Sequence, residues 1–149
     1  MEKQMVVFRL ANEYYGVDIF SVASIIEKQE IIAVPRSPEY VEGVTNLRGM
    51  VLPVIDLRKR FGLEQGEETK ETRIIVVELG DLTVGMTVDA VSQVLRIEED
   101  EIEPPSPIVT TIDSAFIIGI AKTDDRLIIA LDLQKVLATE EQAELQAIA

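Results

Sequence analysis

The chain has 149 residues, 47% of them hydrophobic, and carries a formal net charge of −13 from 27 acidic and 14 basic side chains. That charge repels a phosphate backbone or an anionic leaflet, which argues against nucleic-acid and membrane-surface partners. No cysteine and no histidine occur, which removes disulfide frameworks, thiolate chemistry, Ser-His-Asp and Cys-His catalysis and imidazole metal sites.

In chain order, short β-branched runs dominate. Met5–Leu10, Ile31–Val34, Met50–Ile55, Ile74–Leu79, Thr83–Val88, Phe116–Ile120 and Leu127–Leu131 are mostly flanked by Gly, Asp, Asn or Pro, the signature of strands. Ala11–Asn12–Glu13 and Gly80–Asp81 carry turn chemistry between neighbouring runs, so two hairpins are expected. Ile19, Val22, Ile25 and Ile26 recur at three-to-four spacing, which favours a helix there. Asp56 and Asp132 each follow an apolar run and precede a short helical pattern, where an aspartate caps free N–H groups. A catalytic pair is the less favoured reading of the same two carboxylates. Arg58–Lys59–Arg60 reads first as a wet helix edge and second as a landing point for an acidic partner. Glu64–Glu71 is a charged connector, Glu98–Glu101 with Glu103 a solvated acidic run, and Thr139 with Gln142 opens a final helix as a capping box.

The chain also repeats itself. Residues 5–28 fall on 74–97 at an offset of 69, and residues 43–62 fall on 119–138 at an offset of 76, so the second copy gains seven residues, most simply at Pro104–Pro107. The expected architecture is mainly β: two small barrels, because closing a short sheet on itself removes its exposed edges. We place the lobes at approximately 16–82 and 83–138, with the N-terminal strand and the 139–149 helix packing across them. The N-terminal apolar run is too short for a signal peptide and no run of about 18 apolar residues occurs. A cytoplasmic protein is the expectation. No phosphate-cradling glycine motif appears, and no cofactor or metal is expected.

The segment from Val41 to Leu57, VEGVTNLRGMVLPVIDL, is the most specific in the chain. It resembles the CheW family of bacterial chemotaxis coupling proteins, whose pattern is VxGVxNLRGxxxPxxDLR. The likeness extends through YGVDI, VGMTVDAVSQVLRI and GIAKTDDRLIIALDLQKVL. It implies two SH3-like five-stranded barrels and a non-enzymatic adaptor. Such an adaptor joins the cytoplasmic hairpin tips of methyl-accepting chemoreceptors to the regulatory domain of the histidine kinase CheA, in membrane-associated arrays. It further implies a receptor-binding surface at Val22, Ile25, Ile26, Glu27, Gly43, Asn46, Leu47, Arg48 and Gly49. The kinase would meet the end of a barrel near Val88, Asp89 and Val91. Family members often carry an acid where this chain has Ser24, and Glu27 is the alternative. Physically, Arg48 offers a planar five-donor head either to a partner or to an internal carboxylate, and the resemblance favours the partner. The runner-up readings are a CheV-like or CheA-regulatory-domain-like fragment and, more remotely, a carboxylate-dependent hydrolase.

Overall fold

A computed structural model describes residues 2–104, 114–123, 126–137 and 139–148. It is mainly β. The strands are β1 (Glu2–Leu10), β2 (Glu13–Asp18), β3 (Val22–Glu27), β4 (Val41–Leu47), β5 (Met50–Asp56), β6 (Arg73–Leu79), β7 (Leu82–Val88), β8 (Ala90–Glu98), β9 (Ile102–Glu103), β10 (Ile117–Lys122) and β11 (Leu127–Leu131). Short helices α1 (Leu57–Arg60) and α2 (Leu133–Val136) and the terminal α3 (Thr139–Ile148) complete it. The expected hairpin turns are present at Ala11–Asn12 and Gly80–Asp81, joining β1 to β2 and β6 to β7.

Two sheets form, ordered β8-β1-β2-β11-β10-β9 and β3-β6-β7-β5-β4. The orders match once each strand is replaced by its repeat counterpart, and the counterpart of β9 is a single antiparallel bridge from Ile32 to Val44 beside β4. Register repeats as well. In the parallel pair β5·β7, Val54 lies opposite Gly85; in β11·β2, Ala130 lies opposite Gly16. Residue 130 is 54 advanced by one sequence offset and residue 16 is 85 moved back by the other. Even the β-bulges are duplicated, at Val22/Ser24 against Val91/Gln93 and at Val41/Gly43 against Ile117/Gly119.

Strand sharing accompanies this order. The first hairpin, β1–β2, pairs with β8 and β11, whereas the second, β6–β7, pairs with β3 and β5. Three apolar clusters follow from the alternation of side chains along the strands. One lies within the six-stranded sheet, around Met5, Val7, Ile97, Ile128 and Ala130. A second lies within the five-stranded sheet, around Leu52, Val54, Ile74 and Val76. The largest joins the two sheets through the opposite faces of the same strands, including Val6, Phe8, Tyr15, Ile75, Val77 and Met86. Two like sheets, each with its own small core, fit the paired-barrel expectation.

Two elements differ from their expectations. Ile31–Val34, expected as a strand, makes only the single bridge at Ile32. Ile19–Ser21 is a single 3₁₀ turn capped by Asp18, and Val22–Glu27 is a strand rather than a helix. The helical spacing arises because the bulge after Val22 inserts a residue and shifts the two-residue alternation. Val22 and Ile25 lie opposite Val77 and Ile75, which face the shared core, whereas Ile26 lies opposite Ile74, inside the five-stranded sheet's own cluster. The insertion point expected at Pro104–Pro107 lies, apart from Pro104, outside the described residues. So does the Thr139 side chain of the expected capping box, although Gln142 Nε2 donates to Leu137 O at 2.8 Å.

Candidate interaction surfaces

The hairpin joining β4 to β5 is two residues long, with Leu47 paired to Met50. Both turn residues have positive φ, 53° at Arg48 and 84° at Gly49. This is the geometry whose twist matches antiparallel strands, and it suits glycine at the second position. Asn46 stabilises it by accepting the Gly49 N–H at Oδ1, 2.8 Å away. Arg48 adopts a backbone region unfavourable for a β-carbon-bearing residue. Its side chain is exposed and, among the described residues, forms no ion pair. Leu47 packs on the five-stranded sheet's own cluster. The turn therefore holds an arginine head in solvent at the end of a two-stranded arm.

Gly43 sits at the other end of β4. Five residues of strand put it about 16 Å from Arg48. Its φ is 147°, and any β-carbon would strike the carbonyl of Ile32, so it serves the close approach of chain 31–33 to β4. Its counterpart Gly119 meets Glu103 in the same way.

Of the apolar residues on β3, Val22 packs against the shared core and Ile25 is 41% exposed at its margin. Ile26 is turned into the sheet's interior, and Glu27 is exposed. The repeat supplies one residue that reading the motif alone misses, Val94, and gives Val91 a place beside it. Val91 and Val94 on β8, counterparts of Val22 and Ile25, lie opposite Phe8 and Val6 and face the same shared core, with Val94 51% exposed. Both β3 and β8 are terminal strands of their sheets. Beside Val22 in the chain, Phe20 is 93% exposed on the 3₁₀ turn, where Asp18 Oδ1 accepts its N–H at 2.9 Å. Its hydrophobicity was visible in the sequence; its exposure was not.

At the corner between β7 and β8, Val88 is buried and Val91 half-buried. Asp89 accepts from Arg58 through both carboxylate oxygens, with Arg58 Nε 2.9 Å from Oδ1, and from the Ala11 N–H at 2.8 Å. Burial alone pushes the Asp89 carboxyl up, but these hydrogen bonds and the Arg58 and Arg9 charges outweigh it and hold the group below the usual carboxylate range. Asp89 therefore ties the first hairpin to α1.

The basic triplet is not a wet edge, and this corrects the first reading of it. Arg58 binds Asp89 and the carbonyl of Glu64, and Arg60 is held by Val136 O, Glu141 and two aromatic rings. Lys59 alone points outward among the three. Asp56 and Asp132 cap their helices, accepting from Arg58 N at 2.9 Å and Gln134 N at 3.0 Å. Burial, then the Glu42 charge, raises the Asp56 pKa against the pull of its cap hydrogen bonds. Among the described residues no group of three or more acids is placed to hold a metal ion, and no helix is long and apolar enough to cross a membrane.

The exposed large hydrophobics form three groups. Phe20, Ile25 and Val94 lie at the margin of the shared core. Ile32, Met50 and Val51 lie at the outer end of the five-stranded sheet, where Ile32 and Val51, with Val44 and Asn46, line an open hollow of about 460 Å³. Ile118 and Leu127 lie on β10 and β11, where Ile120 and Leu127, counterparts of Val44 and Val51, line a second hollow of about 310 Å³.

Residues 4–141 match the model of the CheW-like domain. The chain is 39% identical over 138 residues to the chemotaxis protein CheW of Bacillus subtilis, covering 93% of this chain and 88% of that one. It is 33% identical over 147 residues to the chemotaxis protein CheW of Klebsiella aerogenes, covering 99% and 89%. The crystal structure of the scaffolding protein TtCheW from Thermoanaerobacter tengcongensis superposes with a TM-score of 0.85 at 49% identity, covering 95% of this chain and 91% of that one. By contrast, the chemotaxis protein CheV3 of Helicobacter pylori is 27% identical and only 40% of its length is covered, so the CheV-like reading is the weaker one. The chain belongs to the CheW family, a family of chemotaxis scaffolds and not of enzymes.

Proposed function

We propose that this chain is an adaptor that couples the cytoplasmic hairpin tips of methyl-accepting chemoreceptors to the regulatory domain of the kinase CheA. The observation that carries the reading is the division of exposed apolar side chains into separate groups on one rigid double-sheet frame. A chain with one client has no need of several such patches.

The receptor surface is the margin of the shared core. Val22 and Ile25 from β3 and Val91 and Val94 from β8 offer an apolar strip to one face of a receptor helix, and Phe20 stands beside it. Glu27 adds charge at the end of β3, and Arg48, held out on its Asn46-braced turn, offers a fork for a carboxylate or for helix-end carbonyls. Gly43, Gly49, Asn46, Leu47 and Ile26 act by shaping this surface and not by touching the partner. The kinase surface is the outer end of the five-stranded sheet, around Ile32, Met50 and Val51. Val88 and Asp89 contribute to it through the frame, whereas Val91 belongs to the receptor strip. Recruitment through the receptors places the protein at membrane-associated arrays.

The decisive experiment reconstitutes a soluble receptor fragment with the kinase, with and without this chain, and reads kinase phosphorylation. Receptor-dependent stimulation that appears only with the chain supports coupling. Unchanged phosphorylation, together with no saturable binding of either client at high micromolar concentration, rejects it.

A further inference from the structure

Tyr40 and Phe116 are counterparts, each just before its strand, β4 or β10. The carbonyl of Tyr40 accepts the Asp56 N–H at 2.8 Å, and that of Phe116 accepts the Asp132 N–H at 2.9 Å. Asp56 and Asp132 in turn cap α1 and α2, so the same ring, cap and helix are built twice. Between the two copies lies one side chain with no twin. Arg60, the last residue of α1, has Val136 as its counterpart. Its guanidinium carbon sits 5.1 Å from the Tyr40 ring centroid and 5.1 Å from the Phe116 ring centroid. Its Nε donates to the carbonyl of Val136 at 2.7 Å, and its Nη2 to Glu141 of α3 at 2.8 Å. Arg60 therefore touches both copies and the terminal helix.

We infer that Arg60 is a positioning residue that fixes the angle between the two sheets, and that coupling depends on this angle although Arg60 touches neither client. The clause about coupling rests on the adaptor reading above; the clause about the angle does not. The two sheets meet through contacts of different kinds. The apolar core shared by the sheets is non-directional and tolerates a small rotation. A planar guanidinium stacked on two rings and hydrogen-bonded at its edge does not. Lysine, a point charge with no plane to stack, cannot replace it. An adaptor shifts a kinase equilibrium only through unequal affinity for two arrangements. A frame whose two sheets were free to rotate against each other would fit both arrangements alike.

The chain has no cysteine, so spin labels can be placed at Met50→Cys and Lys122→Cys, one on each sheet, and the distance distribution measured by pulsed electron resonance. With Arg60 present a single narrow distribution is expected. Arg60→Leu should broaden or shift it, Arg60→Lys should do so less, and Glu141→Gln should leave it narrow while loosening α3. An unaltered distribution in Arg60→Leu and Arg60→Lys overturns the inference. In the reconstituted assay, Arg60→Leu should keep binary affinity for each client within about twofold while receptor-dependent stimulation falls about tenfold or more. Loss of both binary affinities with a matching fall in melting temperature would show a merely structural role. If Arg60→Leu does not fold, Arg60→Lys carries both measurements. Should the unmodified chain bind neither client, the adaptor reading fails while the label distances still decide the claim about the angle.

Discussion

Phe20 and Asp89 occupy equivalent positions in the two copies of the repeat and behave oppositely. Asp89 is drawn inward, receiving Arg58 and the Ala11 N–H, while Phe20 projects into solvent from a capped turn. One copy uses the corner to staple the frame; the other keeps it open. Asp89→Ala should destabilise by about 2–3 kcal/mol, because it strands a partly buried guanidinium and a backbone donor. For a chain of this size that is a fall of roughly 5–10 °C in melting temperature. Phe20→Ser should leave melting within a degree or two and weaken receptor capture, which a pull-down with a receptor fragment reads directly.

Strong acid should weaken the same corner. The folded Asp89 pKa lies below that of the unfolded chain, near 3.9. Its contribution is complete above the unfolded value and disappears as pH falls through the folded one. With no histidine in the chain, stability should be nearly flat from about pH 6 to 8. Urea midpoints at pH 7, 4 and 3 should drop chiefly in the acid step, and Asp89→Asn should show a lower midpoint at pH 7 with a shallower acid loss.

Asp56 works with the opposite sign. Its pKa is raised, so the contribution from its titration is present at low pH and lost as pH rises through the folded value. Asp56→Asn keeps a cap acceptor without the charge, and should melt at or slightly above the parent at pH 7. Asp56→Ala removes the acceptor and should cost about 1 kcal/mol. Equal melting of the two variants would show that the cap contributes little.

Arg48 carries a conformational cost at φ 53°. Asparagine tolerates that region and, followed by glycine, suits this hairpin. Arg48→Asn should therefore raise stability by about 0.5–1 kcal/mol while reducing receptor capture. Arg48→Glu should abolish capture with melting unchanged within a degree or two. A matching fall in melting temperature would mean the arginine braces the fold.

Much of the frame is legible in the sequence because apolar patterning fixes which face of each strand is buried. The offsets that align Val54 with Ala130 and Gly85 with Gly16 are the registers of the two parallel pairs. The caps at Asp56 and Asp132 are legible for a similarly local reason. What escapes is anything decided by tertiary contact. The bulge after Val22 gives a strand the spacing of a helix. Arg58 and Arg60 look like surface charge until Asp89, Tyr40 and Phe116 are brought to them. Neither pattern nor propensity says which half a hairpin will join, since β5 and β11 offer β2 and β7 nearly the same edge. The strip on β8 is legible only in retrospect, through the counterparts of Val22 and Ile25.

That exchange of hairpins makes each half of the polypeptide incomplete by itself. A cut in the charged connector between Glu64 and Glu71 would leave the leading piece with a hairpin lacking neighbours and three strands lacking a hairpin. The trailing piece would be left in the same condition. Each portion then completes its sheet only with strands from the other, so the two must fold together.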